Sequence, residues 1–149
     1  MSIRYLLSML VLQLFASPVL GCDCNEPEPS VQQLFEDTSG LIFVGKVKTV
    51  STSNKGVTHG SRTLYYQEVE IEILENFRTD SATTVTILNE GFSNCGFRLE
   101  AGGEYLFYAY HSEHLGAPFM MRCHKPVSKT NVPRIQKEVA ELRRLKNGG

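Results

Sequence analysis

YQEVEIEIL, residues 66–74, alternates apolar and acidic positions: Val69, Ile71 and Ile73 on one side, Glu68, Glu70 and Glu72 on the other. A period of two is that of a half-buried β-strand, not of a helix. Neighbouring stretches carry the same signal. LIFVGKVKTV, residues 41–50, reads as a strand with Lys46 and Lys48 facing away from Phe43 and Val47, and Gly45 within it marks a bulge or sharp coil. A Ser-, Asn- and Gly-rich loop is predicted from there to Arg62. TTVTIL, residues 83–88, repeats the alternation through Val85 and Ile87. GEYLFYAY, residues 103–110, is apolar on both faces and so reads as a central strand. FMMRCH, residues 119–124, reads as the last strand and places Cys123 inside the sheet.

Helical patterns flank the strands. Ser30 and Gln33 form an S-x-x-Q capping box that opens a short helix through about Asp37, with Val31, Leu34 and Phe35 on its apolar side. Pro27 and Pro29 keep the preceding residues extended. Near the C-terminus, Pro133 suits a first helical turn, Ile135, Val139, Leu142 and Leu145 form one stripe, and Gly148 follows the end. Arg134, Lys137, Arg143, Arg144 and Lys146 read as a solvated face of this helix. The fold class is therefore mainly β: a five-stranded OB-fold barrel with a short N-terminal helix and a C-terminal helix. Five strongly curved strands can bury one core without exposed edges.

The chain has 149 residues and a formal net charge of −1, which gives no long-range attraction to nucleic acid. Residues 1–21 read as a signal peptide. Arg4 supplies its positive end, Tyr5–Ala16 the apolar centre, and Val19 and Gly21 suit positions −3 and −1 of a cut before Cys22. The apolar run is too short to span a bilayer comfortably, and no later segment approaches a span. Residues 22–149 then make one secreted domain, extracellular or, in a Gram-negative bacterium, periplasmic, without stable membrane insertion.

All four cysteines, Cys22, Cys24, Cys95 and Cys123, lie in the exported part. An even number in an oxidising compartment favours two disulfides. A bridge between Cys22 and Cys24 would strain disulfide geometry, so each N-terminal cysteine is expected to reach a distant one. VLGC, residues 19–22, also resembles a lipobox, but acylating Cys22 would leave three thiols. A metal clip at Cys22 and Cys24 would need reduced cysteines, which export disfavours.

His111, His114 and the Cys123-His124 pair are the other candidate metal ligands. His111 and His114 lie just past a strand, where three-residue spacing does not converge side chains, and they read as loop histidines. The chain has no H-E-x-x-H, no G-x-S-x-G and no phosphate-cradling glycine loop. No cofactor and no enzymatic activity is expected.

Five features together resemble the N-terminal domain of the tissue inhibitors of metalloproteinases, which belongs to the netrin-like OB-fold superfamily. They are CDCNEPEPSVQQLF at residues 22–35, IFVGKV at 42–47, Cys95-Gly96, EYLFY at 104–108, and Cys123. The resemblance covers nearly the whole exported chain. It departs from the family where a third bridge would begin, near Leu34, and no second cysteine-rich region occurs in these 149 residues. The resemblance implies Cys22–Cys95 and Cys24–Cys123 bridges. It implies that the Cys22 amine and carbonyl chelate the catalytic zinc of a secreted or cell-surface metalloproteinase. It further implies that Asp23 enters a specificity pocket of that protease, where the family usually has a small or hydroxylated residue. Cys24 and the ridge Phe92, Ser93, Asn94 and Cys95 would contact the target, and the inhibitor would act as a monomer. The alternative is a netrin-like module that binds another extracellular protein without inhibiting a protease.

Overall fold

The computed structural model describes residues 24, 27–37, 39–79, 83–92, 96–120 and 123–148. In chain order these form α1 (Val31–Glu36), β1 (Gly40–His59), β2 (Arg62–Arg78), β3 (Thr84–Asn89), β4 (Glu104–Ser112), β5 (Ala117–Met120), β6 (Val127–Ser128) and α2 (Val132–Asn147). The protein is mainly β with a short helix before the strands and a longer one after them.

β1 is antiparallel to β2 along its length and to β4 over Gly40–Lys46. β2 continues to β3, β3 meets β5 in a short parallel pairing at Leu88 and Phe119, and β5 returns antiparallel to β4. The pairings therefore run β1, β2, β3, β5, β4 and back to β1, a closed ring of five strands, with β6 added on β4.

Bulges bend β1 enough to serve two partners. Its register against β2 shifts between Val44 and Gly45 and again between Val47 and Thr49. Bulged strands bend and twist more tightly. Gly45 is required by close approach: a Cβ there would lie 2.4 Å from Ile71 Cγ2 and 3.0 Å from the Glu72 carbonyl oxygen.

Strand pleating divides the core into two layers. Phe43, Val47, Val69, Ile71, Ile87, Phe107 and Ala109 form one cluster. Their sequence neighbours Ile42, Leu106 and Tyr108 point the other way and pack with Leu34 of α1 and Val139 and Leu142 of α2. β4 is thus buried on both faces, as its sequence predicts. A third cluster joins Tyr66, Leu88 and Phe119.

Two sequence expectations are corrected. The stretch after Val50 is not a loop: β1 continues to His59 and turns through Gly60 and Ser61 into β2. Gly60 has a φ of +60°, which suits the first position of a two-residue hairpin turn. The polar composition that resembles a loop belongs to a hairpin arm held by cross-strand bonds, including Ser53 Oγ to Glu68 Oε1 at 2.9 Å and the Thr58 and Thr63 hydroxyls at 3.3 Å.

Cys123 lies outside the sheet, in an exposed turn beyond β5, and the last strand is the two-residue β6. Leaving the ladder lets Cys123 meet the N-terminal segment and lets His124 turn inward, where it is buried.

The basic residues of α2 lie on its solvated face, as its sequence predicts, with Arg134 the half-buried one, and several are paired there. Arg143 forms a bidentate pair with Glu75 on β2, both bonds 2.8 Å, and Lys146 donates to the Asn76 carbonyl at 2.6 Å. Arg134 is likewise engaged, as described below.

Candidate functional site at the N-terminal segment

Cys24 is bonded to Cys123, with Cα atoms 5.5 Å apart and a separation of 99 in sequence. Both lie at the surface. From Cys24 the chain enters a proline-limited stretch and then α1. Ser30 caps that helix as its sequence predicts: its hydroxyl accepts from the Gln33 amide at 3.2 Å, and the Gln33 side chain accepts from the Ser30 amide at 2.8 Å.

Between bridge and cap stands Glu28. Its Oε1 accepts from Arg134 Nη2 at 2.7 Å, and His124 Nδ1 lies 3.1 Å from the same oxygen without hydrogen-bond alignment. Arg134 also donates through Nε to Glu138 Oε1 at 2.6 Å, one helical turn along α2. The other Glu138 oxygen accepts from the Tyr108 hydroxyl at 2.8 Å. His124 Nε2 is 3.9 Å from that oxygen, an ion-pair distance, and the His124 ring stands edge-on to Tyr108 with centroids 4.2 Å apart.

Burial opposes charge on Glu138, but His124, Arg134 and Tyr108 around it outweigh that cost and hold its carboxyl at about 2. Burial, and then the bond to Glu138, push the Tyr108 phenol well above its ordinary range. The result is an anionic anchor under an open cleft lined by Glu28, Pro29, Val31, His124, Arg134, Lys137 and Glu141.

A second anchored segment follows β3. Asn89 is 1% exposed, and its amide brackets the Phe97 backbone: Nδ2 donates to the Phe97 carbonyl at 2.7 Å, and Oδ1 accepts from the Phe97 N–H at 3.0 Å. Nδ2 also donates to Gln67 Oε1 at 2.9 Å. Gly91 and Gly96 pass too close to neighbours for a Cβ. At Gly91 it would lie 2.2 Å from the Gln67 side chain, and at Gly96 1.5 Å from the Glu90 carbonyl oxygen.

Of the residues singled out by sequence, Cys22, Asp23, Ser93, Asn94 and Cys95, and hence the Cys22–Cys95 bridge, lie outside the described residues. Cys24 and Cys123 are joined as the resemblance implies. Phe92 is half-buried, its ring 5.5 Å from that of Tyr66. His111 lies on β4 rather than beyond it, and His114 in the following turn; both are exposed. Among the described residues no group of three His, Cys, Asp or Glu side chains is placed to hold a metal, and no helix is long and apolar enough to cross a membrane.

Sequence reasoning missed the Glu28, Arg134, Glu138 and Tyr108 chain. The available signal was Arg134 and Glu138 at i, i+4, with the acid beside Val139 on the apolar side of α2.

No protein-family model matches the chain, and no curated protein matches it significantly.

Proposed function

We propose that the chain, from Cys22 onward, is a secreted, monomeric inhibitor of zinc metalloproteinases built on a netrin-like OB-fold, and that it acts by binding rather than by catalysis. The observation that carries this reading is the Cys24–Cys123 bridge, which ties the segment just after the proposed new N-terminus to the far end of the strand region. The five-strand ring with its flanking helices supports the OB-fold part, since that fold is a five-stranded barrel. A disulfide suits an oxidising, extracytoplasmic location.

In this proposal the free Cys22 amine and the Cys22 carbonyl close a five-membered chelate ring on the protease's zinc. A catalytic zinc keeps one position open for water, so the chelate displaces the nucleophile and stops hydrolysis. The amine must be neutral to ligate, and an ordinary α-amino pKa near ~8 makes that inexpensive. Tethering the chain end beforehand lowers the ordering cost of entering a cleft. Cys24 and the ridge around Phe92, Ser93, Asn94 and Cys95 flank the chelating residue in this scheme.

Asp23 favours the second reading, a netrin-like binding module without a protease target. Its carboxylate would pay desolvation in an apolar specificity pocket. The test is inhibition of a panel of secreted zinc metalloproteinases by protein whose N-terminus is verified as Cys22. The inhibitor reading expects stoichiometric inhibition that weakens as pH falls below about 8, where the amine becomes protonated. Absence of inhibition across the panel would favour the module.

A further inference from the structure

Strand pleating turns Leu74 of β2 away from Ile73, which packs on the first core cluster, and toward α2. There Leu74 lines an open cleft of about 420 Å³ together with Val44 of β1 and Ile135 and Val139 of α2. Val139 belongs to the second core cluster, and Val44 and Ile135 pack against it. Leu74 is 48% exposed, and among the described residues only Tyr65 and Val132 are large apolar side chains so open to water. Exposed apolar surface in a groove marks a place where something apolar binds. The volume falls in the ~300–1,000 Å³ range of small-molecule sites, which likewise combine an apolar lining with a few polar groups.

Two ion pairs flank the aliphatic floor, Lys129 with Glu104 and Arg143 with Glu75. In both, the cation is the outer partner. Lys129 is 67% exposed against 27% for Glu104, and Arg143 60% against 35% for Glu75. The rim that meets a ligand is therefore cationic, although the formal charges cancel. Arg143 is committed to Glu75 through two bonds. Lys129 gives one ammonium hydrogen to Glu104 and keeps two more donors. It also lies just before the start of α2. The N-cap there, Asn131, makes no side-chain bond, and the first turn holds no acid, so no side chain offsets the positive pole of the helix at that end. From Ile135 to Arg143 the floor follows α2 for about 12 Å.

We infer that this cleft binds an aliphatic carboxylate, a free fatty acid, with its chain on Val44, Leu74, Ile135 and Val139 and its carboxylate on Lys129. The apolar floor supplies the affinity, and the outward ammonium at one end sets the sign of the head group and the direction in which the chain lies. None of these residues belongs to the proposed inhibitory set, so the inference does not rest on the inhibitor reading.

The test titrates decanoate into 15N-labelled protein beginning at Cys22 and follows the amide shifts. Saturable shifts centred on Leu74, Ile135 and Gln136 are expected. Butyrate has the same head without the chain, and decyltrimethylammonium the same chain with the opposite charge; each should bind at least about tenfold more weakly. Leu74→Thr, which keeps a strand-forming residue, and Lys129→Gln should each weaken decanoate binding about fivefold while melting within a few degrees of the parent. Shifts that fail to saturate, or that centre away from the cleft, overturn the inference. So does equal binding of decyltrimethylammonium, or parental affinity in either variant. Should Leu74→Thr fold poorly, the shifts of the parent and the affinity of Lys129→Gln decide the matter.

Discussion

Asn89 at the end of β3 and Phe97 beyond the following turn are paired through two hydrogen bonds, 2.7 and 3.0 Å, in which a side-chain amide takes the place of a neighbouring strand. Phe97, two residues after Cys95 in sequence, is thereby held by a buried residue of the ring. Asn89→Ala leaves the Phe97 N–H and carbonyl without these partners. A loss of about 2 kcal/mol in urea unfolding is expected. Asn89→Asp sets a buried carboxylate oxygen against the Phe97 carbonyl and Gln67 Oε1, and should be at least as destabilising as the alanine variant at neutral pH. A variant as stable as the parent would show that the pairing is replaceable by water.

The Cys24–Cys123 bridge closes a loop of about a hundred residues. Replacing both cysteines with serine is expected to lower stability by about 4–5 kcal/mol on the chain-entropy account. Denaturant unfolding under non-reducing conditions measures it. A loss under about 1 kcal/mol would mean that the unfolded chain is already constrained or that other contacts hold the segment.

Glu138 makes an acid-side prediction. Its carboxyl is held at about 2 in the folded protein, against an ordinary value of 4.5. A depressed folded value stabilises the protein above the unfolded value, and that stabilisation fades as pH falls from about 4.5 toward 2. With the side chain only 10% exposed, the contribution is on the order of 3 kcal/mol. Glu138→Gln should therefore be less stable than the parent at pH 6 and converge with it near pH 2. Parallel stability curves down to pH 2 would contradict this account.

Asp23 bears on specificity under the proposed function. Asp23→Thr removes a carboxylate that an apolar pocket would have to desolvate. Inhibition of a metalloproteinase with such a pocket should strengthen at least about tenfold, or roughly 1.4 kcal/mol. An unchanged or weaker inhibition constant would place Asp23 elsewhere.

The ring strands were legible because their alternation reflects burial directly. Val69 and Ile71 are fully buried, and Glu72 faces solvent. The capping box at Ser30 and Gln33 was equally legible, since its bonds are local. The hairpin arm beyond Val50 was not, because an arm paired mainly with its own return strand needs no apolar period. The turn holding Cys123 was missed for a related reason. Phe119 and Met120 look like the start of a longer strand, and only the distant Cys24 and the inward-facing His124 require the chain to leave the sheet. The Glu28, Arg134, Glu138 and Tyr108 chain joins three separate segments, and no local pattern encodes such a meeting beyond the i, i+4 pair within α2.

Inhibition as proposed depends on one amino group, that of Cys22, and lengthening the chain by one residue tests it. Protein beginning at Cys22 should be compared with the same protein carrying a single alanine ahead of Cys22, in one inhibition assay against a zinc metalloproteinase, with melting temperatures taken in parallel. The account predicts equal melting temperatures and at least a hundredfold weaker inhibition by the extended form. Equal inhibition by both forms would contradict it.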